Sequence, residues 1–423
     1  MKYDGDVVTA RRALLFSLVV CMLVSLGLVL GGELYLRRTQ SYVVSQKESL
    51  IQRLGIIDQN PGLLVRTTPR GKRLIPGAKV IVKNHRLAGV DIPIEINSLG
   101  FRGKEIAPEK APGVPRILML GDSITWGDYL RDEDTYVRRT EVDLARALGH
   151  PVEVINGGEG DTGSEEQMDI LEESGLRVKP DVVVLGFYLN DSRPPWGFSG
   201  EVGGRGWIRR HSLVADKFYE KLVLWRWIRQ QGGSRFAWIE AQNRLDWKHD
   251  QRAFLELAHL ADFDWGAAWD DASWHTIDEQ LTRLENHARH DGFRVATLTF
   301  PVKFQVQATT ADDSPQKTFA ALSQKHGFPN LDLLPLFRTH ASEDILFDQC
   351  HPTALMNGII GAAVSDFLID DVKRASDQPP TSDRARFGSV EHVGSTFLSG
   401  FDMTAVAQHF LGLSGVGLRK TQG

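Results

Sequence analysis

The sequence predicts an α/β protein: a three-layer α/β/α parallel sheet, preceded by a transmembrane helix and a small β-rich module, and interrupted by a helical insertion. Three observations carry that expectation. Near the start, Ala13 to Gly32 forms a run of twenty residues without a charge. From Arg116 onward, short apolar runs alternate with stretches whose apolar residues recur at helical spacing, the signature of a parallel sheet covered on both faces. Between about 193 and 274 the alternation breaks, and nine of the ten tryptophans fall inside the break.

Residues 1–12 read as a short tail and 13–32 as an uncleaved signal-anchor. Twenty residues at about 1.5 Å each span a bilayer core of about 30 Å. A cleaved signal peptide would carry a shorter apolar section, about 7–15 residues, followed by a small-x-small site, which Gly27 to Glu33 do not supply. Cys21 sits mid-run behind Val19 and Val20, so it does not read as a lipid-attachment site. Lys2, Arg11 and Arg12 on one side balance Arg37, Arg38, Lys47 and Arg53 on the other, so loop charge does not decide orientation. A short tail before a large soluble region places that region outside the cytoplasm, in the periplasm.

Residues 33–112 form the expected β-rich membrane-proximal module. It contains extended pieces such as Lys79 to Val82 and Ile92 to Ile96 between Pro and Gly turns. The main domain is expected over 113–375, with strands at Ile117 to Leu120, Val152 to Ile155, Val182 to Phe187, Val295 to Phe300 and about Leu331 to Leu334. Helical spacing marks Val137 to Leu148, Glu165 to Val178, Ile277 to His290 and Lys317 to His326. The insertion, about 193–274, reads as helices whose tryptophans form a core of their own; a lid, a sugar-stacking surface and a membrane-interface belt are the alternatives. Residues 376–423 read as a linker and tail.

The formal net charge of -5 and pI of about 6.2 supply no basic stripe, so nucleic acid is not expected as a partner. Two cysteines make no disulfide framework. No metal or other cofactor is expected: His287 and His290 share helical spacing without a ligand cluster and read as a solvated face. The Gly121 to Gly127 turn lacks the Gly-Lys-Ser/Thr ending of a phosphate loop.

The chemistry concentrates at strand ends. The first strand ends in Leu120-Gly121-Asp122-Ser123-Ile124-Thr125, which puts a serine at the carboxyl edge of the sheet, where open α/β folds bind ligands. A serine hydroxyl needs a base to take its proton as it attacks. Asp348-Gln349-Cys350-His351 supplies one, with a carboxylate three residues before the imidazole and able to turn back onto Nδ1. Cys350 itself reads as a buried packing residue. A developing oxyanion needs fixed donors. Candidates follow the second strand, in Asn156-Gly157-Gly158-Glu159-Gly160-Asp161-Thr162, and the third, in Tyr188-Leu189-Asn190-Asp191.

In order and position these four blocks resemble the SGNH (GDSL-like) hydrolase family, named for its Ser, Gly, Asn and His. Gly121-Asp122-Ser123 matches the first block, Gly160-Asp161-Thr162 the second, Asn190-Asp191 the third and Asp348-x-x-His351 the last. The stretch Asn97-Ser98-Leu99-Gly100-Phe101-Arg102 is similar to a segment that precedes this domain in membrane-associated bacterial members. The resemblance implies a flavodoxin-like sheet, with Ser123 as nucleophile, His351 as general base and Asp348 as its orienting acid. It assigns the oxyanion hole to the backbone N–H groups of Ser123 and Gly160 and the side chain of Asn190. The substrate would be an ester, such as an acylated cell-envelope carbohydrate; transfer of the acyl group to a glycan hydroxyl and a non-catalytic glycan-binding scaffold are the alternatives. One departure stands out: the third block normally carries glycine two residues before its asparagine, and here that residue is Tyr188.

Overall fold

The computed structural model describes residues 3–40, 42–45, 64–85, 87–107, 109–193, 207–231, 237–310 and 312–376. The expected tail, beyond Ser376, lies outside the described residues, as do two pieces of the insertion and part of the membrane-proximal module.

Helix α1 (Tyr3–Thr39) is long and apolar enough to cross a membrane, and its side chains from Arg11 to Leu30 are exposed. It continues seven residues past the uncharged run. No breaker ends it at Gly32, and Glu33 pairs with Arg37 one turn on, at 2.6 Å. The chain then builds two small antiparallel sheets. Strand β1 (Tyr42–Ser45) pairs with β4 (Lys79–Lys83), which pairs with β5 (Ile92–Glu95). Strands β2 (Val65–Thr68) and β3 (Gly71–Leu74) form a hairpin. Val65, Leu74, Val80, Ile92, Ile94 and Ile96 close a small core around Trp126 of the main domain, so the module is seated on that domain.

The main domain is a five-stranded parallel sheet of β6 (Arg116–Gly121), β7 (Glu153–Gly158), β8 (Val182–Tyr188), β9 (Arg294–Phe300) and β10 (Asn330–Asp332), in the order β10-β9-β8-β6-β7. This is the flavodoxin-like order. β6, β8 and β9 are buried almost throughout because both faces are covered, as their unbroken apolar runs require. Among the helices that follow the strands are α2 (Ser123–Trp126), α3 (Tyr136–Leu148) and α4 (Ser164–Ile170). The insertion contributes α5 (Trp207–His211), α6 (Leu213–Gln231), α7 (Ala237–Ala241) and α8 (Gln251–Leu260). Then come α9 (Asp271–Asp291), α10 (Lys303–Gln307), α11 (Ser314–Lys325), α12 (Leu334–Thr339) and α13 (Ala354–Ser376). α3 and α13 pack together on one face, and α4, α9 and α11 on the other. The chain therefore leaves β6 and β8 toward opposite faces, and a crevice opens between their carboxyl ends.

The tryptophans divide. Trp238, Trp247 and Trp265 are buried around Phe304 of α10, and their cluster is continuous with the core of the sheet rather than separate from it. Trp207 and Trp225, on α5 and α6, are exposed. His287 is also not a purely solvated residue: its Nε2 lies 3.1 Å from Glu172 and its Nδ1 3.5 Å from Asp291.

Candidate active site

Ser123 is placed by glycines. Gly121, Gly158 and Gly186 lie in one row across three adjacent strands, Gly121 in register with each of the other two. A Cβ on Gly121 would meet Thr125 Oγ1 at 2.1 Å, one on Gly158 the backbone N of Trp126 at 2.2 Å, and one on Gly186 Thr125 Oγ1 at 2.8 Å. The missing side chains let α2 settle directly on the strand ends. Asp122 caps it, accepting from Ile124 N–H at 2.9 Å.

The other end of α2 is held by Arg102, from the segment that precedes the domain. This buried guanidinium donates to the carbonyls of Trp126, Gly127 and Leu130 at 2.7, 2.9 and 2.5 Å and stacks over the Trp126 ring. Asn97 shapes the segment by accepting from the N–H groups of Leu99 and Phe101, and the Arg102 backbone bridges Asn156 on the sheet's edge strand. The Asn97 to Arg102 motif thus has a structural purpose: its guanidinium supplies a donor to Leu130 O and reinforces the Trp126 and Gly127 carbonyls, which also accept from Asn156 Nδ2 and Leu130 N–H.

His351 arrives from the far end of the domain. Its Nε2 is 2.9 Å from Ser123 Oγ, and its Nδ1 is 2.7 Å from Asp348 Oδ2. Asp348 Oδ1 accepts from the backbone N–H groups of Cys350 and His351, both at 2.9 Å, which fixes the carboxylate before it meets the ring. Burial pushes the Asp348 carboxyl up, but the His351 charge and these donors outweigh it and hold its pKa at about 2. Burial pulls His351 down, but Asp348 raises it well above the ordinary imidazole value. Cys350 is buried, and burial pushes its thiol to about 12, so it stays neutral beside the ring. Tyr129 packs edge-on to His351 at 4.8 Å between centroids, and Asp128 Oδ2 lies 3.6 Å from Nε2.

A relay of side chains joins α2 to the histidine loop. Thr125 Oγ1 lies 2.9 Å from Tyr136 Oη, Tyr136 N–H donates to Asn357 Oδ1, and Asn357 Nδ2 donates to the Pro352 carbonyl. Ser123 and His351 are therefore positioned through one buried network as well as through their own contact.

The three candidate oxyanion donors stand at the same edge, and Ser123, Gly160 and Asn190 are each partly exposed. Gly157 and Gly158 face the interior, where a Cβ would strike Met119 O and Trp126 N, whereas a Cβ on Gly160 would lie 4.0 Å from Ser123 Cβ. Asn190 follows β8, next to β6 in the sheet. Its amide donates to Asp264, which the insertion brings into the site and whose pKa burial raises to about 6, against the pull of Arg193 and Asn190. Nothing in the sequence near 264 marks that residue, because the contact exists only once the insertion folds back.

Three other buried carboxyls stand near the candidate oxyanion residues. Burial raises Asp122, burial and the neighbouring Asp122 raise Asp191, and burial raises Glu159, beside Gly160, to about 8 despite the nearby charges of Arg73 and Lys72. Lys72 of the β2–β3 hairpin also lies 3.7 Å from Asp161, so the small β-rich module borders the site. Tyr188 is fully buried, and its hydroxyl lies against Cys350.

No family model matches this sequence, and no curated protein matches it. Among solved structures, a two-domain esterase active on acetylated mannans, co-crystallised with mannopentaose, is 13% identical with a TM-score of 0.36. That match covers 63% of this chain and 52% of that one, so the chain spans about half of that protein's length. A lipase/acylhydrolase from Enterococcus faecalis is 18% identical with a TM-score of 0.35, over 61% of this chain and 96% of that one. A catalytic mutant of an acetylxylan esterase from Geobacillus stearothermophilus is 14% identical with a TM-score of 0.33, over 62% and 96%.

Proposed function

We propose that this chain is a membrane-anchored serine esterase of the SGNH type that works through an acyl-enzyme. The observation that carries the reading is the hydrogen-bonded line from Asp348 through His351 to Ser123 Oγ at the open edge of the sheet. Ser123 Oγ attacks the ester carbonyl while its proton passes to His351 Nε2, and Asp348 stabilises the imidazolium that forms. The charge that appears on the carbonyl oxygen is taken by the N–H groups of Ser123 and Gly160 and by the Asn190 amide. Collapse of the tetrahedral intermediate breaks the bond to the alcohol, which leaves with the proton from His351. Water, deprotonated by the same base, then releases the acid and restores the serine.

The buried Tyr188 ring occupies space below the histidine loop that glycine would leave open, which favours a short acyl group such as acetyl. The anchor confines the domain to the neighbourhood of the membrane. On that ground the alcohol is read as a hydroxyl of a cell-envelope carbohydrate, met on the extracytoplasmic side. Transfer to a second sugar would use the same acyl-enzyme, and product analysis with a glycan acceptor separates the two outcomes.

The test is fluorophosphonate labelling of the detergent-solubilised protein together with aryl-acetate turnover, for wild type, Ser123→Ala and His351→Ala. Both signals should vanish in the two folded variants. Labelling that survives in Ser123→Ala assigns the nucleophile elsewhere, and a wild type inert to both reagents turns the reading to a glycan-binding scaffold.

A further inference from the structure

The first two helices of the insertion carry a surface that the esterase reading does not use. Trp207 and Ile208 on α5 are 69% and 65% exposed, and Phe218 and Trp225 on α6 are 71% and 53% exposed. Scattered exposed apolar residues are ordinary on a soluble protein. Four large ones on two consecutive helices are a patch. Phe218 and Trp225 are seven residues apart, hence on one helical face, and the exposed Lys221 and Arg229 fall on the same face at three and eleven residues from Phe218. Arg229 lies over the Trp225 ring, 4.7 Å from its centroid. From 207 to 231 the sequence holds six lysines and arginines against two acidic residues. Aromatic rings interleaved with cations suit the boundary between acyl chains and anionic headgroups.

The position of this patch is fixed by the anchor. Glu33, the first charged residue after the uncharged run of α1, accepts from Ser212 Oγ at 3.1 Å and from the N–H groups of Leu213 and Val214 at 2.9 and 3.1 Å. Arg37, one turn on, donates to the carbonyl of His211 at 3.4 Å. The amino end of α6 is thus fastened where the apolar span stops, and Phe218 is only about 8 Å further along the helix axis, at about 1.5 Å per residue.

We propose that α5 and α6 lie on a bilayer surface bearing anionic lipids, with Trp207, Ile208, Phe218 and Trp225 turned into the interface and Lys221 and Arg229 among the headgroups. This rests on the reading of α1 as a membrane span and not on the serine chemistry. It gives the domain a second, non-spanning attachment, which fixes its tilt over the membrane where a single helix would let it swing.

The experiment uses the full chain, carrying single nitroxide labels, in nanodiscs of phosphatidylethanolamine and phosphatidylglycerol. Native Cys21, in a Cys350→Ser background, reports on α1. Phe218→Cys, Trp225→Cys and Val142→Cys, each with Cys21→Ser and Cys350→Ser, report on α6 and on an exposed position of α3. Collision with oxygen against collision with a water-soluble nickel chelate should favour oxygen severalfold at 218 and 225 relative to 142, approaching the ratio at 21. Ratios at 218 and 225 equal to that at 142 overturn the inference while leaving the anchor standing. Exclusion of both reagents there means that protein covers the face, either residues 377–423 or a second copy, and also overturns it. A water-like ratio at 21 removes the anchor reading and this inference together and leaves the serine-esterase reading to its own test.

Discussion

Replacing Asp348 by Asn removes one charge and changes little else in shape. The Asn carbonyl oxygen can still accept from the N–H groups of Cys350 and His351, the two bonds that Asp348 Oδ1 accepts at 2.9 Å. Its NH₂ must then face His351 Nδ1, now 2.7 Å from a carboxylate oxygen. An amide donor at that point stabilises the tautomer with the proton on Nε2, which presents a hydrogen to Ser123 where a lone pair is required. By the magnitude seen for this substitution in serine proteases, kcat should fall about 10⁴-fold, or about 5.5 kcal/mol at 1.4 kcal/mol per tenfold, with KM little changed. The pH profile supplies a second readout. His351 is raised above the ordinary imidazole value because Asp348 outweighs burial, so the acidic limb of kcat/KM should lie above about 6.5 in wild type. Without the carboxylate the largest raising influence is gone while burial still lowers the imidazole, so the limb should move down. The stability sign is also defined. Asp348, lowered from 3.8 to about 2, contributes about 2 kcal/mol that is complete above pH 4 and lost as pH falls through about 2. The raised His351 gives the same ion pair an upper limit: its contribution is complete below about 6.5 and is lost as pH rises through the folded value. Asp348→Asn should therefore lower the melting temperature most near pH 5–6 and less in alkali. Initial rates on an aryl acetate from pH 5 to 9, with thermal melts at each end, make the measurement. A rate within tenfold of wild type and an unmoved acidic limb would refute the role given to Asp348.

Three further outcomes are expected. Arg102→Met should cost about 3 kcal/mol or more in chemical denaturation, since three buried hydrogen bonds from a charged donor are lost, and should lower kcat through a displaced α2; an unchanged midpoint would contradict the packing described. Gly158→Ala should fail to give a stable fold, because its Cβ would sit 2.2 Å from a backbone nitrogen, whereas Gly160→Ala, with its nearest contact at 4.0 Å, should fold; limited proteolysis distinguishes them, and equal resistance would refute the argument. Glu159→Gln should raise the melting temperature at pH 9 and change it little at pH 5. A carboxyl raised from 4.5 to about 8 erodes stability progressively as pH climbs between those values, and glutamine removes the charge that burial opposes. A gain confined to acid would reverse that sign.

The sheet was legible in the sequence, and so was the candidate pair Ser123 and His351, whose side chains meet at 2.9 Å. Unbroken apolar runs such as Val182 to Phe187 admit only a strand buried on both faces, and a serine directly after such a run must stand at the sheet's carboxyl edge. Asp348 and His351 were legible because three residues is the reach of one turn, so their contact is local and needs no knowledge of the rest of the chain. The long uncharged run marked α1 for the same reason, since length and polarity are properties of a segment alone. Tertiary structure decided what depends on distant segments meeting. Which of Gly157, Gly158 and Gly160 borders Ser123 follows from the register of β6 against β7. The support of α2 by Arg102, the hold of Asp264 on Asn190 and the fastening of α6 to Glu33 join residues 24 to 181 positions apart. The tryptophans show the limit most clearly. The same residue type is buried around Phe304 in one half of the insertion and exposed on α5 and α6 in the other, because an indole has both an apolar body and a polar edge and takes whichever surface its neighbours leave it.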